Sequence, residues 1–129
     1  MFAIGEASRQ SGVSIETIRY YEREGIVPPP ERSANGRRIY SAEAIGRLKF
    51  LKNCRNLGFS LSDAKALLEL SVGEYSDCDA VFRMGDRQLA STRKKIAELR
   101  RLEAALTELT ANCSEGNTDC PMLDALRGG

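Results

Sequence analysis

Apolar residues recur at three- and four-residue intervals along most of this chain, the period of helices with one buried side. Ile4 and Ala7 open a short helix that stops at Ser11-Gly12, where glycine takes the turn. Ser14 then reads as an N-cap, with Glu16 in the first turn and Ile15, Ile18, Tyr20 and Tyr21 forming an apolar side that runs to Gly25. Two short helices across a tight glycine turn predict a helix-turn-helix, although a generic helical hairpin gives the same pattern. Ile26-Val27-Pro28-Pro29-Pro30 cannot continue a helix. Asn35-Gly36, between Arg32 and Arg37-Arg38-Ile39-Tyr40, predicts a two-residue hairpin turn with both central residues at positive φ, hence a small basic wing. Ser41 caps a third helix whose stripe is Ile45, Leu48, Leu51, Cys54 and Leu57, ending near Gly58. Ser60-Leu61-Ser62-Asp63 looks like a capping box opening a fourth helix with Ala64, Leu67, Leu68 and Leu70.

After Gly73 the organisation changes. No proline falls between Cys78 and Cys113, and Leu89, Thr92, Ile96 and Leu99 keep a 3,4,3 rhythm. It resumes at Leu102, Leu106, Leu109 and Cys113 after a three-residue slip, the signature of a stammer in a coiled-coil seam. A long helix with one apolar stripe and no second helix of similar length in its own chain needs a partner, and the simplest is its own copy. Leu89, Ile96, Leu99, Leu102, Leu106 and Leu109 are therefore the expected homodimer interface. The divisions are residues 1–72 for the helix-turn-helix unit with its wing, 73–112 for the dimerisation helix, and 113–129 for a loop and short terminal helix.

Composition narrows the function. The 129 residues suffice for one small core plus an extended element, and the net charge of +1 hides an uneven distribution. Residues 1–60 are net +4 and residues 61–129 net −3, so the first half is the one suited to a polyanion. Arg19, Arg32, Arg37 and Arg38 gather where helix and wing meet, which favours phosphate contact over ordinary solvated charge. No run is long and apolar enough to span a membrane and the first residues lack the blocks of a signal peptide, so the expectation is a cytoplasmic protein without membrane partners. The absence of histidine removes Ser-His-Asp and Cys-His catalysis and mixed Cys/His zinc sites. With no phosphate-binding glycine loop or nucleophile–base pair either, an enzyme is not expected.

The four cysteines carry the remaining chemistry. Cys54 falls on an apolar stripe and reads as core. Cys113 and Cys120 bound a short polar loop containing Gly116, a spacing that suits a metal chelate and equally a disulfide. Cys78 lies 35 residues before Cys113. On a continuous helix that is about 52 Å, so the two meet only if two helices pair antiparallel, with Cys78 of the partner subunit joining Cys113 and Cys120. The other reading of Cys78 is an incidental thiol in an exposed first turn between Asp77 and Asp79. Three thiolates without imidazole favour soft ions such as mercury(II), cadmium(II), lead(II) or copper(I), and the nearby carboxylates favour a divalent one.

Ile4-Gly5-Glu6-Ala7, the run from Glu16 to Gly25, Asn35-Gly36-Arg37-Arg38-Ile39-Tyr40, Leu57-Gly58-Phe59-Ser60-Leu61 and Cys120-Pro121 together resemble the MerR family of metal-responsive transcription regulators. The resemblance covers essentially the whole chain. It implies a mainly helical fold: a winged helix-turn-helix, an antiparallel coiled-coil dimer and cross-subunit metal sites at the two ends of the coil. It also implies two soft divalent ions per dimer, because copper(I)-type members carry serine where this chain has Cys78, and zinc-type members add a cysteine and a histidine that are absent here. The implied mechanism is a dimer that holds a long-spacer palindromic promoter shut. On binding mercury, cadmium or lead it distorts the DNA until RNA polymerase engages both promoter elements. Under this resemblance Arg19 and Tyr20 are the helix contacts, and Tyr21, Arg32, Arg37, Arg38 and Tyr40 contact the DNA backbone, with Tyr20 and Tyr21 alternatively core. Arg37 stands where many relatives have an aromatic residue. Alternatives are a thiol redox switch on the same scaffold, or a zinc or copper(I) sensor. An organic-ligand sensor is not expected, since the residues after Cys113 are too few to enclose such a ligand.

Overall fold

The computed structural model describes residues 1–73, 77–111 and 120–128. Its elements run α1 (Ile4–Ser11), α2 (Ile15–Arg23), β1 (Glu31–Arg32), β2 (Arg38–Ile39), α3 (Ala42–Asn56), α4 (Leu61–Val72), α5 (Cys78–Ala111) and α6 (Pro121–Leu126). The chain is mainly helical, with a helix-turn-helix, a hairpin wing and one long helix. It divides into two compact units, Met1–Met84 and Gly85–Gly129.

In the first unit, local chemistry sets the helix boundaries. The hydroxyl oxygens of Ser14, Ser41 and Ser60 accept from the amides of Thr17, Ala44 and Asp63 at 3.1, 3.0 and 3.1 Å, each satisfying one unpaired amide of a first helical turn. Gly12, at φ +75°, ends α1 and turns the chain into α2. Ala7, Ile18, Ile45, Leu48, Leu51, Cys54, Ala64, Leu67 and Leu68 form the core, and Ile18 and Leu51 are fully enclosed. Each such large aliphatic side chain contributes about 1.5–3 kcal/mol by leaving water. Met84, in the second turn of α5, packs against the same core, which is why the first unit reaches into that helix.

Two details differ from expectation. Leu57 belongs by periodicity to the buried stripe of α3, yet it is 69% exposed. The helix ends at Asn56, Leu57 is the C-cap, and Phe59 takes the buried position beyond the turn. The wing turn also differs. Asn35 does not take positive φ; Gly36 alone does, at +80°. Its amide donates to the Ser33 carbonyl at 2.9 Å, and the Ser33 amide donates to the Arg37 carbonyl at 2.8 Å. This is a longer loop with glycine at the left-handed position, in which the Ser33 hydroxyl oxygen accepts from the Arg37 amide at 3.2 Å and holds the turn. β1 and β2 pair antiparallel with Glu31 opposite Ile39 and Arg32 opposite Arg38, and Phe2 adds a bridge to Tyr40.

In the second unit no described residue of α5 is buried. Leu89, Ile96, Leu99, Leu102 and Leu106 are 44, 42, 63, 59 and 53% exposed, while Leu109 is half-buried. Thr92, Thr107 and Thr110 return their hydroxyls to carbonyls one turn earlier within the helix. Among the described residues no helix is long and apolar enough to cross a membrane.

Candidate nucleic-acid interface and thiol sites

Helix α2 sorts its side chains by face. Ile18 and Tyr21 point into the core, and Arg19, Tyr20 and Arg23 are exposed. The Arg23 guanidinium lies 5.6 Å from the centre of the Tyr20 ring, a cation–π contact that orders both side chains on the outer face. Arg23 was not marked by its spacing; only the one-turn proximity to Tyr20 singles it out. The Tyr20 and Tyr21 rings are 6.2 Å apart and tilted by 54°. Burial pushes the Tyr21 phenol up, against the opposing influence of the Arg55 charge.

The wing supplies two exposed guanidiniums. Arg32 donates to the Gly36 carbonyl at 2.9 Å and braces the turn, and Arg37 extends from its tip. The other two wing residues expected to touch DNA, Arg38 and Tyr40, make bonds within the protein. Tyr40 is only 3% exposed and its hydroxyl donates to Glu22 Oε1 at 2.6 Å. Arg38 Nη1 donates to Glu22 Oε2 at 2.7 Å. Tyr21 and Tyr40 both belong to the buried core cluster, and the Tyr40 hydroxyl finds its acceptor within the protein. Burial, and then the carboxylate beside it, push the Tyr40 phenol up to about 12. Glu22 itself had no signal in the sequence, since its partners lie 16 and 18 positions away.

Among the thiols, Cys54 is buried on α3, and burial pushes it up, away from the thiolate form that binds metals. It is core, as its place on the stripe predicts. Cys78 is exposed at the first residue of α5, and Cys120 is half-buried at the N-cap of α6. The Asp77 carboxylate accepts from the Ala80 amide at 3.0 Å and so caps the helix that Cys78 begins. Cys113 lies outside the described residues. Among the described residues no three Cys, Asp or Glu side chains of one chain converge on a metal position.

Residues 2–71 match the family model described as MerR HTH family regulatory protein, and residues 45–109 the one described as MerR, DNA binding. The chain is 36% identical to a mercuric resistance operon regulatory protein of Pseudomonas fluorescens, an alignment covering 98% of this chain and 88% of that one. It is 41% identical to the HTH-type transcriptional regulator HmrR of Rhizobium leguminosarum bv. viciae, over 98% of both chains. Its fold is similar to that of the crystal structure of the transcription regulator PbrR691 from Ralstonia metallidurans CH34 in complex with lead(II). That match has a TM-score of 0.81 and 33% identity, over 98% of this chain and 99% of that one.

Proposed function

The chain belongs to the MerR family of helix-turn-helix regulatory proteins, and on that premise we propose that it is a metal-responsive transcriptional regulator acting as a homodimer. Membership makes it a DNA-binding regulator and not an enzyme. One observation carries the rest: α5 is a 34-residue helix with no buried residue and an exposed apolar stripe, and a thiol stands at its first position. Antiparallel pairing of two copies covers the stripe through Leu89, Ile96, Leu99, Leu102, Leu106 and Leu109. It also sets Cys78 of the partner subunit beside Cys113 and Cys120. Residues 1–72, 73–112 and 113–129 then serve as DNA-binding, dimerising and sensing segments.

The donor set fits a soft divalent ion, since it is three thiols with no imidazole and Cys78 is open to solvent. Two such sites form per dimer. When bound, the ion supplies a cross-link between the thiolates of the two subunits. Mercury(II) and lead(II) are supported by the names of the Pseudomonas and Ralstonia proteins, and cadmium(II) by the same donor chemistry. The DNA partner is a palindromic promoter element with a long spacer, bound with and without the ion. Arg19 and Tyr20 meet the duplex from α2, joined by Arg32 and Arg37 from the wing. Drawing Cys113 and Cys120 onto Cys78 of the partner subunit turns the two helix-turn-helix units. The DNA then bends and untwists until RNA polymerase engages both promoter elements.

An anaerobic ultraviolet titration of reduced protein with mercury, cadmium, lead, zinc and copper(I), under a competing thiol, tests this reading. A divalent ion saturating at one per subunit is expected, with a thiolate charge-transfer band that Cys78→Ser diminishes while DNA binding is retained. If Cys78→Ser is silent, the three-thiolate site is wrong. If oxidation alone changes promoter output, a Cys113–Cys120 redox switch replaces it.

A further inference from the structure

Glu22 sits in the last turns of α2 with its side chain 6% exposed, and both of its carboxylate oxygens are engaged across the wing. We propose that Glu22 is a positioning residue for DNA recognition: its carboxylate fixes Arg38 and Tyr40 of the wing against the end of α2, so that helix and wing meet the duplex as one body. The proposal rests on the DNA-binding reading above.

Three observations carry it. The segment joining α2 to β1 contains Pro28-Pro29-Pro30, three residues without an amide hydrogen, so backbone donors cannot stitch this stretch to the helix. The backbone ties from this segment to the helix end before it, with the Ile26 and Val27 amides both donating to the Tyr21 carbonyl. The Glu22 bonds span 16 and 18 positions and join α2 to β2 and the residue after it directly. Charge supplies the third. An exposed carboxylate here would repel phosphates, whereas one enclosed and compensated by Arg38 leaves Arg19, Arg23, Arg32 and Arg37 as the exposed guanidiniums of helix and wing.

The test uses the full-length protein and a duplex that the wild type selects from a random-sequence pool. Affinities for that duplex and for a scrambled one are measured by fluorescence anisotropy, and tyrosine ionisation is followed by ultraviolet difference absorbance. Glu22→Gln keeps the shape but cannot accept from both donors at full charge. It is expected to lose about tenfold in affinity for the selected duplex. Binding to the scrambled duplex stays equal or tightens, because a negative charge has gone. The Tyr40 step of the tyrosine titration, at about 12 in the wild type, moves down in this variant, with helix content unchanged. An unchanged ratio of selected to scrambled affinity, with the tyrosine titration moved, overturns the proposal. Should Glu22→Gln fail to fold, Tyr40→Phe keeps the ring and removes one of the two bonds. It is expected to lower the ratio about threefold, and a wild-type ratio overturns the proposal equally. A wild type that selects no sequence overturns the DNA-binding reading, and this proposal with it.

Discussion

The two units of this chain solve the problem of burying apolar surface in opposite ways. In Met1–Met84 each helix finds its cover within the same chain, and Ile18 and Leu51 reach 0% exposure. In Gly85–Gly129 the apolar residues are as regularly spaced, yet Leu99 and Leu102 remain 63 and 59% exposed. The difference lies in arrangement and not in composition: several short amphipathic helices with turns between them fold onto one another, and one long helix cannot fold onto itself. Stability in the first unit is therefore a property of a single chain, whereas in the proposed dimer cover for the second depends on mass action.

The sharpest way to break this contrast is to charge the stripe. Ile96→Glu with Leu99→Glu is expected to weaken dimerisation at least about a hundredfold, since each substitution acts twice across a twofold interface. Sedimentation measures it, and a variant that stays dimeric at micromolar concentration would remove these residues from the interface. The reverse experiment strikes the core. Leu51→Ala is expected to cost about 2–5 kcal/mol in chemical denaturation of the first unit, with dimerisation through α5 little changed. If instead both units lose structure together, they are not independent in stability.

A smaller effect comes from Tyr40, whose phenol is held at about 12 in the fold against 10 for the free side chain. The fold favours the neutral form, so this contribution is fully present below pH 10 and is lost as the pH rises from 10 towards 12. Burial of Tyr21 acts in the same direction. Thermal melts across that window should show a decline that Tyr40→Phe flattens, and an equal decline in the variant would assign it to other groups.

What was legible in the sequence follows the range of the forces involved. The caps at Ser14, Ser41 and Ser60 and the turn at Gly12 depend on residues within four positions, and each forms where its residue type and spacing place it. The apolar stripe of α3 was readable for the same reason up to Cys54, and misled at Leu57 because the helix stops one residue before it. Asn35-Gly36 pointed correctly to a hairpin and incorrectly to its geometry, since Ser33 offers a hydroxyl that favours the longer loop. The clamp on Glu22 was out of reach. Arg38 and Tyr40 read as a basic, aromatic strand facing DNA, and only the folded path brings them back to α2. At the thiol sites the donor types were readable from residue identity, while Cys113 falls outside the described residues and the geometry there belongs to the proposal.

The packing of Met84 on the core gives the chain a timetable during synthesis. The last side chain to join the packing of the first unit is thus encoded within α5, so that unit is complete only once the second turn of that helix has been made. The stripe from Leu89 to Leu106 emerges afterwards, left exposed by the described residues. In the proposed homodimer, completion passes at that moment from a unimolecular step to an encounter between two chains, whose rate rises with how many are being made in one place.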